Sequence, residues 1–266
     1  MNRLTPLPRV MLAPNGARKT KADHPALPVT ISETVTAAKD AFEAGADALH
    51  AHVRDAEGRH SLDAGLYREL IREMESAVPE MPVQITTEAA GLFGPGIQRK
   101  VVREVRPEGV SVALREMWPL NGPDANAQNF YAWADDENIA VQHILYAPED
   151  AARLVELVES TRLPQPVQCL FVLGAYAPAR EGKPEDLEPF LTAMAPLGLQ
   201  VDWAVCAFGK AETTCLQAAA KRGGKIRVGF ENNTFGADGN PAVDNASRVA
   251  DVRNGTKGYA SASVRQ

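Results

Sequence analysis

Short apolar runs alternate along the chain with longer stretches in which apolar residues recur every three or four positions, the pattern of repeated βα units. Eight runs predict strands: RVMLAP (9–14), DALHAHV (47–53), VQITT (83–87), GVSVAL (109–114), IAVQHILY (139–146), VQCLFVL (167–173), QVDWAVCA (200–207) and KIRVGFE (225–231). Helical periodicity fills the intervals at 31–44, 63–77, 97–105, 125–136, 148–160, 184–195 and 210–221. Gly45, Gly198 and Gly223 fall where a helix has to stop in a left-handed turn. Eight such units in 266 residues match the size and count of a (β/α)8 TIM barrel. A doubly wound sheet is the alternative, but the first βα junction, APNGARKT, lacks a G-x-G-x-x-G phosphate loop and does not open directly into a helix. Residues 244–253 can supply the eighth helix, and 255–266, GTKGYASASVRQ, read as a small-residue tail, frayed or docked on a neighbour. No linker or low-complexity segment divides the chain, so 1–266 is expected to be a single barrel domain.

Alternation also assigns faces. In LHAHVRD, His50 and His52 share one side of the strand while Leu49, Ala51 and Val53 share the other. The small apolar set suits the layer under the helices, which turns both imidazoles into the barrel near the end where such barrels keep their active sites. A lone inward histidine reads most simply as a hydrogen-bonded core residue. Two on one buried face need partners for four ring nitrogens, and a divalent metal accepts one nitrogen from each. In KIRVGFENN the same period puts Arg227, Gly229 and Glu231 together, with Gly229 leaving room beneath the carboxylate. Two His and one carboxylate leave a coordination position open, as in a catalytic zinc site. Thr86 and Glu88 share a side after strand three, and Ser111, Ala113 and Arg115 share one after strand four. Gln142 and Ile144 alternate with His143, which therefore faces the helices.

Composition removes other classes. A net charge of −6 and no long Lys/Arg block give no pull toward nucleic acid or anionic membranes. The start, MNRLTPLPRVMLAP, is too weak for a signal peptide, and no run of 18 apolar residues occurs, so a cytoplasmic protein is expected. Three cysteines without C-x-x-C spacing fit reduced, packed thiols.

The blocks APNGARKTKADHPALPVT, EAGADALHAHVRDAEGR, VQITT, PEGVSVAL, FVLG, WAVCAFG and GGKIRVGFENN come in order, and from about residue 9 to 250 the chain resembles the β-keto acid cleavage enzymes. The resemblance implies a zinc-dependent barrel, with His50, His52 and Glu231 as ligands, that exchanges acyl groups between a β-keto acid and acetyl-CoA to give acetoacetate and a new CoA ester. It further implies that Thr86 and Ser111 hold the substrate carboxylate; independently of it, Arg227 below Glu231 is placed to stabilise an anion or orient a base. Family members favour a homo-oligomer, and Trp118 or Trp133 could serve an interface or the core.

Departures from the family pattern matter as much. The position after the glutamate ligand, acidic in the best-known member and acting there as base, is Asn232, whose amide cannot take that proton. Arg18 replaces a first-loop glutamate suited to a cationic substrate, and strand four ends in Arg115 and Glu116. Glu88 is the leading replacement base; pairing with Arg18 or Arg115 is its simpler role. Arg18 and Arg115 favour a substrate with an anionic or neutral polar far end over an amine. Two other readings stay open: a metal-dependent aldolase or lyase without CoA, and a metal-retaining ligand-binding barrel that has lost its base. An amidohydrolase would need further inward histidines, and only His24, His60 and His143 remain.

Overall fold

The computed structural model describes residues 2–119, 124–161, 163, 166–176 and 178–256. All eight expected strands form: β1 Val10–Leu12, β2 Ala48–Ala51, β3 Val83–Thr86, β4 Gly109–Ala113, β5 Ala140–Leu145, β6 Val167–Tyr176, β7 Val201–Ala207 and β8 Lys225–Val228. Each pairs in parallel with its successor, and β8 returns to β1 with Val10 opposite Ile226, so the sheet closes into an eight-stranded barrel. The helices are α1 Ile31–Glu43, α2 Ala64–Ala77, α3 Pro95–Val105, α4 Ala125–Asp136, α5 Pro148–Ser160, α6 Leu187–Met194, α7 Glu212–Lys221 and α8 Asn245–Gly255. Local chemistry sets their starts. Thr30 Oγ1 accepts from the Glu33 N–H while the Glu33 carboxylate accepts from the Thr30 N–H, a reciprocal cap that begins α1. Pro95 opens α3, where its missing N–H costs nothing.

The main apolar cluster lies between strands and helices, where Leu49, Ala51 and Val53 meet Tyr67 and Leu70 of α2. His143 also faces outward and stacks on Tyr131 of α4 at 5.3 Å between ring centroids. Inside the barrel the lining is uneven. Ala113, Ile144, Leu170, Val172, Ala204 and Cys206 make the β4–β7 side apolar. His50, Gln84, Thr86 and Arg227, all buried, make the β2, β3 and β8 side polar. The N-terminal segment plugs the far end: Leu4 packs on Met11, Ala48 and Ala140, and its carbonyl accepts from Gln168 Nε2 at 2.8 Å.

Several expectations need correction. Strand periodicity does not extend to Arg115, because a single helical turn, Leu114–Met117, starts directly after β4. A hairpin pairs Val53–Arg54 with His60–Ser61 after β2, and the end of β6 folds back on Ala179–Glu181. Trp118 is wholly buried, which removes it as an exposed interface residue, and Trp133 is packed on the core beneath the Arg103 guanidinium at 4.4 Å. Helix α8 runs through Gly255, and residues 257–266 of the expected tail lie outside the described residues. Among the described residues no helix is long and apolar enough to cross a membrane.

Candidate metal centre and its cavity

Alternation on β2 sends His50 into the barrel, and His52 follows in phase two residues later, both fully enclosed. Glu231 arrives differently. Strand β8 ends at Val228, and Gly229 adopts φ +146°, where an added Cβ would stand 2.3 Å from the Ala13 carbonyl. Glycine is there because two backbones touch, not to make room beneath a side chain. The Gly229 carbonyl then accepts from the N–H groups of Asn232 and Asn233, and this turn delivers Glu231 to the histidines.

The Asn-Gly pair of the first loop completes the fit. Asn15 Nδ2 donates to the His52 carbonyl at 3.0 Å. A Cβ on Gly16, at φ +66°, would lie 2.6 Å from Glu231 Cγ, so only glycine lets this loop run against the carboxylate. Two cations brace the loop from either side. Lys19 Nζ donates to the carbonyls of Phe230 (2.8 Å) and Glu231 (3.1 Å), and Arg54 Nη2 to those of Gly16 (2.5 Å) and Lys19 (2.9 Å).

The result is a triangle of donors. His50 Nε2 and His52 Nε2 are 3.3 Å apart, and each lies 3.5 Å from Glu231 Oε2. Glu231 Oε2 is buried and has no hydrogen-bond partner among the described residues. A tetrahedral ion with bonds of about 2.0–2.1 Å needs donor separations of about 3.3–3.4 Å, so the residues fit a small divalent cation. Their protonation fits as well. Burial, then the Arg227 charge, pushes His50 down to about 3, leaving a neutral imidazole. Burial alone would raise the Glu231 carboxyl, but the Arg227 guanidinium beside it outweighs burial and holds it well below the usual carboxylate range.

Arg227 Nη2 donates to the other Glu231 oxygen at 2.9 Å, while its Nε and Nη1, though buried, have no partner among the described residues. Both amide atoms of Asn232 are likewise buried and without a partner among the described residues. Unspent donors beside a metal-sized triangle are what a charge-developing oxygen needs.

Above this floor opens a cavity of about 450 Å³, within the range of small-molecule sites. Arg18, Thr86, Glu88, Arg115, Glu116 and Asn232 all contribute to its wall. Thr86 Oγ1 accepts from the Glu88 N–H at 3.1 Å. The Glu88 carboxylate lies 4.0 Å from Arg18 Nε and 3.9 Å from His52 Nδ1, a loose arrangement. Arg115, by contrast, is committed: it pairs with Asp150 at 2.5 Å and sits over the Tyr146 ring at 5.0 Å. Glu116 accepts from the Ala89 N–H and from Gln98 Nε2, and burial raises its pKa. Ser111, in register with Thr86, is wholly buried, its hydroxyl has no partner among the described residues, and it does not form part of the wall.

Sequence reasoning overlooked the braces Lys19 and Arg54, although Arg54 continues the His50, His52 face by the same alternation. It also overlooked Tyr176, whose hydroxyl donates to the Glu231 carbonyl, and Gln84, whose Oε1 accepts from His50 Nδ1 at 2.8 Å.

Comparison with known proteins follows the geometry. The family model described as beta-keto acid cleavage enzyme matches residues 9–262. The chain is 26% identical over 250 residues to a 3-keto-5-aminohexanoate cleavage enzyme of Acetoanaerobium sticklandii, covering 89% of this chain and 87% of that one. It is 25% identical over 256 residues to a 3-oxoadipate:acetyl-CoA acetyltransferase of Cupriavidus necator, covering 91% and 86%. Among solved structures, apo ObcA superposes with a TM-score of 0.66 at 15% identity; the match takes in 86% of this chain but only 61% of ObcA. A type I 3-dehydroquinate dehydratase of Clostridium difficile superposes with a TM-score of 0.60 at 11% identity over 93% of this chain and 91% of that one. At such identities the two superpositions speak for the barrel alone.

Proposed function

The chain belongs to the beta-keto acid cleavage enzyme family, and on that premise we propose that it condenses a β-keto acid with acetyl-CoA, releasing acetoacetate and a new acyl-CoA, at a divalent metal, zinc by its donor set, held by His50, His52 and Glu231. The observation that carries this reading is the 3.3–3.5 Å triangle of donor atoms at the base of a cavity. A divalent ion bound there supplies Lewis acidity toward the keto acid's oxygens.

The protein's own groups supply the rest. Glu88, on the cavity wall with its nearest cationic partners 3.9 and 4.0 Å away among the described residues, takes the proton from the carbon between the keto and carboxylate groups, the task closed to Asn232. Arg227 directs its unused Nε and Nη1 at the negative charge that then develops, and Asn232 offers its amide to the same region. Thr86 borders the substrate carboxylate, with Ser111 behind it. The carbanion attacks the thioester carbonyl and expels CoA thiolate. The thiolate then adds to the original keto carbonyl, and the bond between that carbonyl and the former nucleophilic carbon breaks. Acetoacetate takes back the proton and the new acyl group leaves on CoA.

Arg18, more than half exposed and only loosely met by Glu88, is the cation available to an anionic or neutral polar far end of the acid. Arg115, tied to Asp150, acts through the loop it fixes. The protein is read as a cytoplasmic homo-oligomer with no nucleic-acid or membrane partner. The test is a panel of β-keto acids assayed with and without acetyl-CoA on metal-loaded protein. Acyl exchange that needs acetyl-CoA is expected. Cleavage without it would establish the aldolase or lyase reading, and tight ligand binding without turnover would establish a binding barrel.

A further inference from the structure

Two imidazoles serve the metal site, and they are held in unlike ways. Among the described residues His52 Nδ1 has no hydrogen-bond partner. His50 Nδ1 lies 2.8 Å from Gln84 Oε1; Gln84 Nε2 donates to Gln142 Oε1 at 3.1 Å, and Gln142 Nε2 donates to the Cys169 carbonyl at 3.2 Å. The line crosses the barrel interior from β2 through β3 and β5 to β6, and both amides are about 1% exposed.

Its direction is set at the far end. A backbone carbonyl can only accept, so the nitrogen of Gln142 must face Cys169 and its oxygen must face Gln84. The nitrogen of Gln84 then faces Gln142, and its oxygen faces His50. An acceptor at Nδ1 calls for a proton there, which leaves the lone pair of His50 on Nε2, the atom pointed at His52 and Glu231. Turning either amide over would set oxygen against oxygen or N–H against N–H in a buried interior, where unmatched polar groups are costly. Aliphatic side chains of similar size would fill this layer without that risk.

We infer that Gln84 and Gln142 are positioning residues: an amide relay anchored on the Cys169 carbonyl holds His50 in the Nδ1–H tautomer with its Nε2 lone pair presented to the metal. This rests on the metal-centre reading above. Partners of this kind behind a ligating histidine typically alter metal affinity by about 10–100-fold.

Metal affinity, measured by competition with a chromophoric chelator on stripped protein, tests it without recourse to turnover. Gln84→Met keeps the volume but removes the acceptor, and zinc binding should weaken by about 10–100-fold. Gln84→Glu restores an acceptor at Nδ1 and should bind within a few-fold of the native protein, even where its melting temperature falls. Gln142→Met should weaken binding by less than Gln84→Met, and should add nothing to it in the double variant. Cobalt(II) absorption should shift in Gln84→Met and stay near native in Gln84→Glu. Native-like zinc affinity in Gln84→Met, or Gln84→Glu binding as poorly as Gln84→Met, overturns the relay while leaving the metal centre standing. A native protein that binds no ion overturns both.

Discussion

The floor and the rim of the cavity are built by different rules. On the floor, His50, His52, Glu231 and Arg227 are at least nine-tenths buried, and hydrogen bonds that run into β-strands and a braced loop hold His50, Glu231 and Arg227. At the rim, Arg18 and Glu88 come from loops, are partly exposed and meet only at 4.0 Å. The difference separates two jobs. The floor needs fixed distances because charge develops there, whereas the rim has to receive an acid whose far end varies from one relative to another.

Substitutions can break that contrast, and the largest effect belongs to the floor. Glu231→Gln, read by metal analysis and acyl-exchange rate, should lower zinc occupancy by more than 100-fold and turnover by at least about 10³-fold, since the donor triangle loses its anion. Next comes the one rim group given a chemical task. Glu88→Gln should retain the metal and lose about 10²–10⁴-fold in kcat, the usual worth of a positioned base. Full turnover in that variant would reduce Glu88 to a partner of Arg18.

Acid probes a different region, the layer between strands and helices where His143 stacks on Tyr131. Burial pushes His143 down to about 4, against about 6.5 in the unfolded chain. Between those values the unfolded state binds a proton that the folded state refuses. Stability is therefore complete above about pH 6.5 and falls toward pH 4, by up to about 1.4 kcal/mol per pH unit from this group. In metal-free protein, urea titrations at pH 7 and 4.5 should show a smaller acid loss for His143→Phe than for the native chain; equal losses would show that His143 is not one of the groups responsible. The smallest effect is expected at the outer rim. Arg18→Ala should raise KM for acids with an anionic far end several-fold, with kcat nearly unchanged.

Much of this was legible in the chain. Period-two alternation gave the inward pair His50 and His52 and the outward His143, because strand geometry fixes side-chain direction independently of what surrounds it. It failed where strands end. Glu231 was placed on the correct face for the wrong reason, since a glycine turn carries it, and Arg115 was assigned by an alternation that a helical turn had already ended. The relay through Gln84 and Gln142 was not legible at all. A glutamine in a strand reads the same whether its amide is solvated or buried, and the group that sets the direction of both is a backbone carbonyl on β6, beside Gln142 but three strands from Gln84. Asn232 was visible as a departure, but that neither of its amide atoms has a partner is a fact of packing.

The central claim is that the floor works through a metal held by His50, His52 and Glu231. Its most direct measurement is zinc titration of chelator-stripped protein, following bound ion and acyl exchange together. Activity rising in step with occupancy to one ion per chain, and abolished in His52→Ala, is the expected result; acyl exchange that persists in metal-free protein would contradict it.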